Sequence, residues 1–374
     1  MPNRSGGEFP TTAAAVTPRW IEAQLARAGL LGDARITGLA WQAIGTGQVG
    51  DTARFTLTYD RPTAAPPTLA GKFASADPTS RGTAAAMMLY VKEVGFYRAL
   101  AGLISVRTPQ VYAAEIDADG TDFVLLFEDL APERGGNQLE GCTLADAEAA
   151  IRQAAALHSA TIGHPKVLGA EWLHGREGLL AEIGRLYHQA HAIFRERYDG
   201  QMSPEAMALC DELDNRVEGW LGRQPEEPCL IHGDFRLDNM LFGVGAKHGL
   251  GEVEPIAIVD WQTCAIGCAM TDVGYFMGCG IGSDLRRPNE AALLGLYAEE
   301  MARQGAPIAQ DVMMRRYRIG ALHGLFTAVF SAAFVVRTER GDANFLSMAR
   351  GAADLALDHD SIGALDAMME NSAC

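Results

Sequence analysis

Leu-Ile-His-Gly-Asp-Phe-Arg-Leu-Asp-Asn-Met-Leu, residues 230–241, and Ile-Val-Asp-Trp-Gln, residues 258–262, decide how the chain is read. In the first stretch Asp234 and Asn239 lie five positions apart in a short loop bounded by apolar residues, and in the second Asp260 follows a strand-like run. Phosphoryl transfer from a metal-bound nucleotide needs such a set. One carboxylate orients or deprotonates the attacking hydroxyl, and an amide oxygen and a second carboxylate hold Mg²⁺ against the phosphates. Because Mg²⁺ takes hard oxygen ligands and keeps several waters, two protein ligands suffice.

At His232-Gly233-Asp234, Asn239 and Asp260 the chain resembles the aminoglycoside phosphotransferase and choline kinase superfamily. Phe127-Glu128-Asp129-Leu130 and Asp260-Trp261-Gln262 are similar to its ecdysteroid-kinase-like branch. The resemblance spans about residues 41–272. It implies an α+β, protein-kinase-like bilobal fold, with a small N-lobe built on an antiparallel sheet and one key helix, and a larger, mainly helical C-lobe. It also implies transfer from ATP, or GTP in its place, with Mg²⁺ as cofactor. Asp234 would be the catalytic base, Asn239 and Asp260 the metal ligands, and His232 a support of the loop.

Upstream, residues 36–44 and 53–59 read as strands around Gly45-Thr46-Gly47-Gln48-Val49-Gly50-Asp51. Backbone amides of Gly45, Gly47 and Gly50 could approach a phosphate closely. The same glycines suit a plain hairpin turn, and only the downstream motif favours the phosphate. A third strand over 69–74 carries Lys72, where a kinase keeps the lysine that meets the α- and β-phosphates. One helix is expected over 83–100, with Glu93 bordering its apolar face and available to pair with Lys72. A second hairpin, 111–115 and 123–127, leads to Phe127, Glu128 and Asp129, whose backbone the resemblance places at the adenine edge. Thr143 and Asp146 suit the start of a helix running to about 162. It carries His158, expected as a hydrogen-bonded structural residue. Aromatic residues within 164–222 fit the core better than an acceptor pocket, and His188 and His191 are expected at the surface.

Downstream, 240–243 and 256–259 read as a hairpin that would bring Asn239 beside Asp260. By resemblance Asp272 braces the catalytic loop through its backbone. Three helices are expected after it, over 289–304, 311–336 and about 344–369, closing the larger lobe. Gly233 stands where protein kinases have the arginine of His-Arg-Asp, and eleven residues separate Asp260 from Asp272. That is too few for an activation segment with a peptide platform, so a small hydroxylated acceptor is expected. The branch resemblance and the methionine- and phenylalanine-bearing C-terminal helices favour a bulky, apolar one.

The chain is organised, on this reading, as a disordered tail over 1–16, a nucleotide-binding lobe over 17–127, and a lobe over 128–374 with catalytic loop, metal site and acceptor pocket. A net charge of −16 excludes a general nucleic-acid binder and leaves a cationic substrate open. Residues 1–18 hold no apolar signal core, and the most apolar run, 321–336, contains His323 and is too short to span a bilayer. A cytoplasmic protein without membrane contact is expected. Seven scattered cysteines fit reduced thiols, and Cys264, Cys268 and Cys279 lack the second ligand pair of a zinc site. The rival reading is a nucleotide-binding regulatory module without turnover. It is disfavoured because Lys72, Glu93, Asp234, Asn239 and Asp260 fill every chemical position.

Overall fold

The computed structural model describes residues 9–45, 49–243, 256–334 and 337–372. It contains two compact units. The first comprises Met1–Ala101 with Thr108–Ala131, and the second Gly102–Arg107 with Pro132–Cys374.

The first unit is built on an antiparallel sheet of β1 (Ile36–Ile44), β2 (Gly50–Tyr59), β3 (Thr68–Ala74), β4 (Val111–Ile116) and β5 (Phe123–Glu128), ordered β1-β2-β3-β5-β4. Alternation along each strand divides its side chains between two faces. Phe55, Leu57, Leu69, Phe73, Val124 and Leu126 pack with Ile21 and Leu25 of the helix Pro18–Arg27. Phe123, Leu125 and Phe127 pack with Tyr90 and Val94. Thr17 caps the first helix by accepting the Trp20 N–H at 3.2 Å, with Pro18 in the first turn.

Two expectations in this unit need correction. Residues 1–8 of the expected tail lie outside the described residues, but Ala13–Ala15 form a 3₁₀ turn and Val16 is buried against the sheet. The single helix expected over 83–100 is two, Pro78–Ala86 and Leu89–Gly95, followed by a π-type turn, Phe96–Leu100. The break falls at Met88, whose left-handed backbone (φ 60°) ends one helix and re-aims the next, so that Tyr90, Glu93 and Val94 are all buried. The Asp77-Pro78 pair, capping Ser80 N at 2.7 Å, was the available signal for the earlier start.

The second unit is mainly helical. Helix Leu144–Thr161 opens with a capping box in which Thr143 and Asp146 bond each other's backbone N–H. Short strands Met240–Phe242 and Ile256–Ile258 pair antiparallel, as do Cys229–Ile231 and Ala265–Gly267. Tyr187, Phe194, Tyr198 and Trp220 lie in the main core with Leu322, Leu325, Val329 and Ala352. His191 is buried rather than superficial, because Asp211 at 2.9 Å and Asp214 at 3.4 Å receive its ring nitrogens.

The three C-terminal helices expected from sequence are five: Gly282–Arg303, Gln310–Gly320, Leu322–Phe334, Glu339–Asp358 and Ser361–Ser372. Arg318 holds the break after Asp358 by donating to the carbonyls of His359 and Asp360 at 2.6 and 3.0 Å. The break after Gly320 falls where that residue touches the backbone of Met270 and Thr271. Among the described residues no helix is long and apolar enough to cross a membrane.

A Cβ at Gly320 would lie 2.1 Å from Met270 O, whereas one at Gly295, inside helix Gly282–Arg303, would meet nothing within 4 Å. Denaturant unfolding is therefore expected to show Gly320→Ala losing about 1–3 kcal/mol by overpacking. Gly295→Ala should gain about 0.5–1 kcal/mol by removing a helix-interior glycine. Equal effects at the two positions would contradict this packing.

Candidate active site

The site in the second unit is assembled around one buried carboxylate. Asp272 lies in the first turn of helix Ala269–Tyr275 and is fully buried. Its Oδ2 accepts the backbone N–H of His232 at 2.7 Å and its Oδ1 that of Gly233 at 2.9 Å. Behind it stands His158, with Nε2 3.2 Å from Asp272 Oδ2 and Nδ1 2.9 Å from the Tyr297 hydroxyl. Burial pushes the Asp272 carboxyl up, but the hydrogen bond and charge of His158 and the backbone donors outweigh it and hold it below the usual carboxylate range.

The loop that Asp272 grips turns sharply. Gly233 has φ +79°, and a Cβ there would stand 2.6 Å from Thr263 O, so no larger residue fits. His232 Nε2 lies 3.0 Å from Val259 O, and its Nδ1 3.2 Å from the Asp234 backbone N–H, which ties the loop to the strand ending before Asp260. His323 reaches in from helix Leu322–Phe334 to the Gly233 carbonyl at 2.8 Å.

Asp234 follows, and its carboxylate meets three donors. Oδ1 accepts the Tyr275 hydroxyl at 2.7 Å and Arg236 Nε at 3.0 Å, and Oδ2 accepts Asn239 Nδ2 at 2.8 Å. Burial raises the Asp234 carboxyl, yet the Arg236 charge and the Tyr275 and Asn239 hydrogen bonds hold it low. Arg236 also bonds Asp238 Oδ2 at 2.6 Å, so this arginine is an internal ion-pair partner of two carboxylates.

Asn239 closes a 3₁₀ turn, Leu237–Asn239, and is buried. Its Nδ2 also reaches Asp234 O at 2.8 Å, which turns its Oδ1 away from that carboxylate. Asn239 O accepts the Val259 N–H at 3.0 Å, placing Asp260 one residue beyond a direct backbone contact. Asp260 itself is left-handed (φ 64°, ψ 64°), a conformation that costs a residue with a Cβ roughly 1–2 kcal/mol. Among the described residues no group of three or more His, Cys, Asp or Glu is placed to hold a metal ion. A site made of one amide oxygen and one carboxylate suits Mg²⁺, which brings water and phosphate oxygens of its own.

In the first unit, Lys72 Nζ lies 2.9 Å from Glu93 Oε1 and 2.8 Å from Oε2. The lysine is 12% and the glutamate 1% exposed, so the pair is held out of bulk solvent. Gly45 has φ +76° at the end of β1, and a Cβ on Gly50 would stand 3.3 Å from Lys72 Cε. Gly47 lies outside the described residues. At the expected hinge the Glu128 N–H donates to Gln110 O at 2.8 Å, and the Asp129 carboxylate is bonded by Arg54 at 2.7 and 3.1 Å. Phe127 is a buried sheet residue.

Sequence reasoning passed over Tyr275, His323 and Asp238. Only Tyr275 had a usable signal, lying three positions after Asp272 and so on the same face of its helix.

Comparison with known proteins adds a family and a fold. A family model described as a phosphotransferase enzyme family matches residues 69–307. The microcompartment-associated aminopropanol kinase is 16% identical, with a TM-score of 0.50 over 92% of this chain and 99% of that one. The GDP complex of wild-type aminoglycoside 2'-phosphotransferase-IIIa is 13% identical, with a TM-score of 0.51 over 91% and 99%. The α+β, protein-kinase-like fold is that of these structures. Among curated proteins, acyl-CoA dehydrogenase family member 11 of Gallus gallus is 28% identical over 178 residues, 46% of this chain and 20% of that protein. Its Mus musculus counterpart is 31% identical over 71 residues, 19% and 8%. The matches thus span a fifth or less of the length of these relatives.

Asp272→Asn replaces a charged acceptor of two backbone N–H groups by an amide with one acceptor oxygen, and is expected to cost about 3 kcal/mol or more at pH 7. A carboxyl held low in the folded state stabilises above the unfolded value near about 4 and loses that contribution as pH falls through its folded value. The gap between wild type and variant should therefore be full at pH 7 and shrink below about pH 4. Urea unfolding across pH checks both, and a gap that stays constant on acidification would count against this role.

Proposed function

Since the chain belongs to the phosphotransferase enzyme family, we propose that it transfers the γ-phosphoryl group of ATP, or of GTP, to a hydroxyl of a small molecule. The observation that carries this is the clamp on Asp234. A carboxylate offers about four lone-pair positions. Two donors occupy Oδ1 and one occupies Oδ2, so a single position on Oδ2 remains for the acceptor hydroxyl. Asp234 stays ionised near neutrality because Arg236, Tyr275 and Asn239 hold its carboxyl low. It acts first by orienting the hydroxyl. As the acceptor oxygen bonds Pγ, the bond from Pγ to the departing nucleoside diphosphate breaks, and the proton passes to Asp234 and on to solvent.

Asn239 Oδ1 and the Asp260 carboxylate are the groups that would hold Mg²⁺. Bound there, the ion would neutralise charge on the nucleotide phosphates. Lys72, fixed by Glu93, is assigned to the α- and β-phosphates, with backbone amides around Gly45, Gly47 and Gly50 beside them. His232, His158 and Asp272 act through the loop and touch no reacting atom. Phe127, Glu128 and Asp129 are assigned to the adenine edge through backbone groups other than the Glu128 N–H. The ecdysteroid-kinase-like branch and a cytoplasmic location belong to the same proposal, as does the assignment of nucleotide binding to the first lobe and of the catalytic loop, metal site and acceptor pocket to the second.

Asp234→Asn is expected to lower transfer by roughly 10²–10⁴-fold, the usual contribution of a positioned acid–base group. Mg·ATP binding, read as a thermal shift, should persist in that variant, and chelation of Mg²⁺ should abolish transfer in the wild type. Product detection by mass spectrometry over a panel of hydroxylated compounds provides the assay. Full activity in Asp234→Asn would sink the proposal, and Mg·ATP binding without transfer to any compound would favour the regulatory module.

A further inference from the structure

With a net charge of −16, the chain as a whole invites a cationic acceptor. Around Asp234 the charges are matched differently. Asp238 is met by Arg236 Nη1 at 2.6 Å, Asn344 Nδ2 at 3.1 Å and the Gln138 backbone N–H at 3.0 Å. Asp272 is enclosed by His158 and two backbone donors. Asp260 is assigned to the metal. On the other flank, Arg223 lies 4.2 Å over the Trp220 ring, Trp220 stacks on His323, and His323 holds the Gly233 carbonyl. Among the described residues, Asp234, Asp238 and Asp272 are each already met by donors of the chain, which leaves little uncompensated negative charge beside this loop for an ammonium group.

Two amides beside the same loop lack partners. Gln138 is 4% exposed, and neither its Nε2 nor its Oε1 has a hydrogen-bond partner. Asn344 spends its Nδ2 on Asp238, while its buried Oδ1 has none. Buried polar groups in native proteins are nearly always paired, and an exception calls for an explanation. Both residues sit on the Asp238–Arg236–Asp234 scaffold, and the loop carrying Gln138 is fastened to the catalytic loop by Gly136 N–H donating to Met240 O at 2.8 Å. A partner for them would therefore sit against the catalytic loop, one ion pair away from the reacting carboxylate.

Resting on the phosphotransferase reading, we propose that the acceptor is an uncharged alcohol with a second polar group that both donates and accepts, such as an amide, seated on Gln138 and Asn344. The free donor is Gln138 Nε2, and the free acceptors are Gln138 Oε1 and Asn344 Oδ1. A secondary amide supplies one of each kind, and an ammonium supplies donors only. The class is narrower and more polar than the bulky, apolar alcohol favoured by the helices' composition.

The test compares two acceptors of similar reach, N-acetylethanolamine and ethanolamine, with the full chain and Mg·ATP. The neutral amide should be phosphorylated with kcat/KM at least tenfold higher. Gln138→Met should raise its KM about tenfold and leave the KM for ATP unchanged, an effect that a purely structural glutamine would not produce. Gln138→Glu, which installs a carboxylate, should shift the preference toward ethanolamine. Ethanolamine used as well as or better than the amide by the wild type overturns the assignment. So does a Gln138→Met variant altered only in melting temperature, or transfer to neither compound while Mg·ATP binds. Failure to bind Mg·ATP would instead overturn the phosphotransferase reading itself.

Discussion

The carboxylate of Asp272 and the two backbone N–H groups it receives, from His232 and Gly233, are what the rest of the site depends on. A glycine in a left-handed turn has little of its own to fix its direction, and a buried backbone donor without an acceptor is costly. Asp272 supplies that acceptor, and His158, itself hydrogen-bonded to the Tyr297 hydroxyl, together with the backbone donors holds the carboxyl low in the interior. With positions 232 and 233 held, the next residue, Asp234, is delivered to one place. Three donors drawn from Tyr275, Arg236 and Asn239 then fix its carboxylate.

The same economy governs charge. Three acidic side chains, the partly buried Asp234 and Asp238 and the fully buried Asp272, are hydrogen-bonded into one loop, and none is left uncompensated. Arg236 bridges the first two and His158 faces the third. In the other unit Lys72 and Glu93 follow this rule, each nearly removed from solvent and each matched by the other. Such pairs stabilise little in net terms, because desolvation offsets attraction. What they provide is geometry, since a charge held by its partner points in a defined direction.

How much of this was legible in the sequence depended on the range of each interaction. The contact between Asp234 and Asn239 joins residues five apart, and the strand pairing beside Asp260 comes from two apolar runs, so both could be anticipated. Tyr275 lies 41 positions from Asp234, His323 lies 90 from Gly233, and Asn344 lies 106 from Asp238, so no local pattern joins them. Helix limits failed for a related reason. Periodicity predicts helix over 83–100 and 311–336, but the breaks at Met88 and after Gly320 arise from packing against other segments, which periodicity does not record. Gln138 was invisible too, because its signal is a missing partner, and that can be seen only once its neighbours are in place.

The central claim is that Asn239 and Asp260 share one divalent ion at the end of the loop that Asp272 holds. Crystals grown with Mn²⁺ and a non-hydrolysable ATP analogue test it most directly, through the anomalous signal of the metal. The account predicts a metal bonded to Asn239 Oδ1 and to an Asp260 carboxylate oxygen, with phosphate oxygens of the nucleotide completing its shell. A nucleotide bound with its metal contacting neither residue would contradict it.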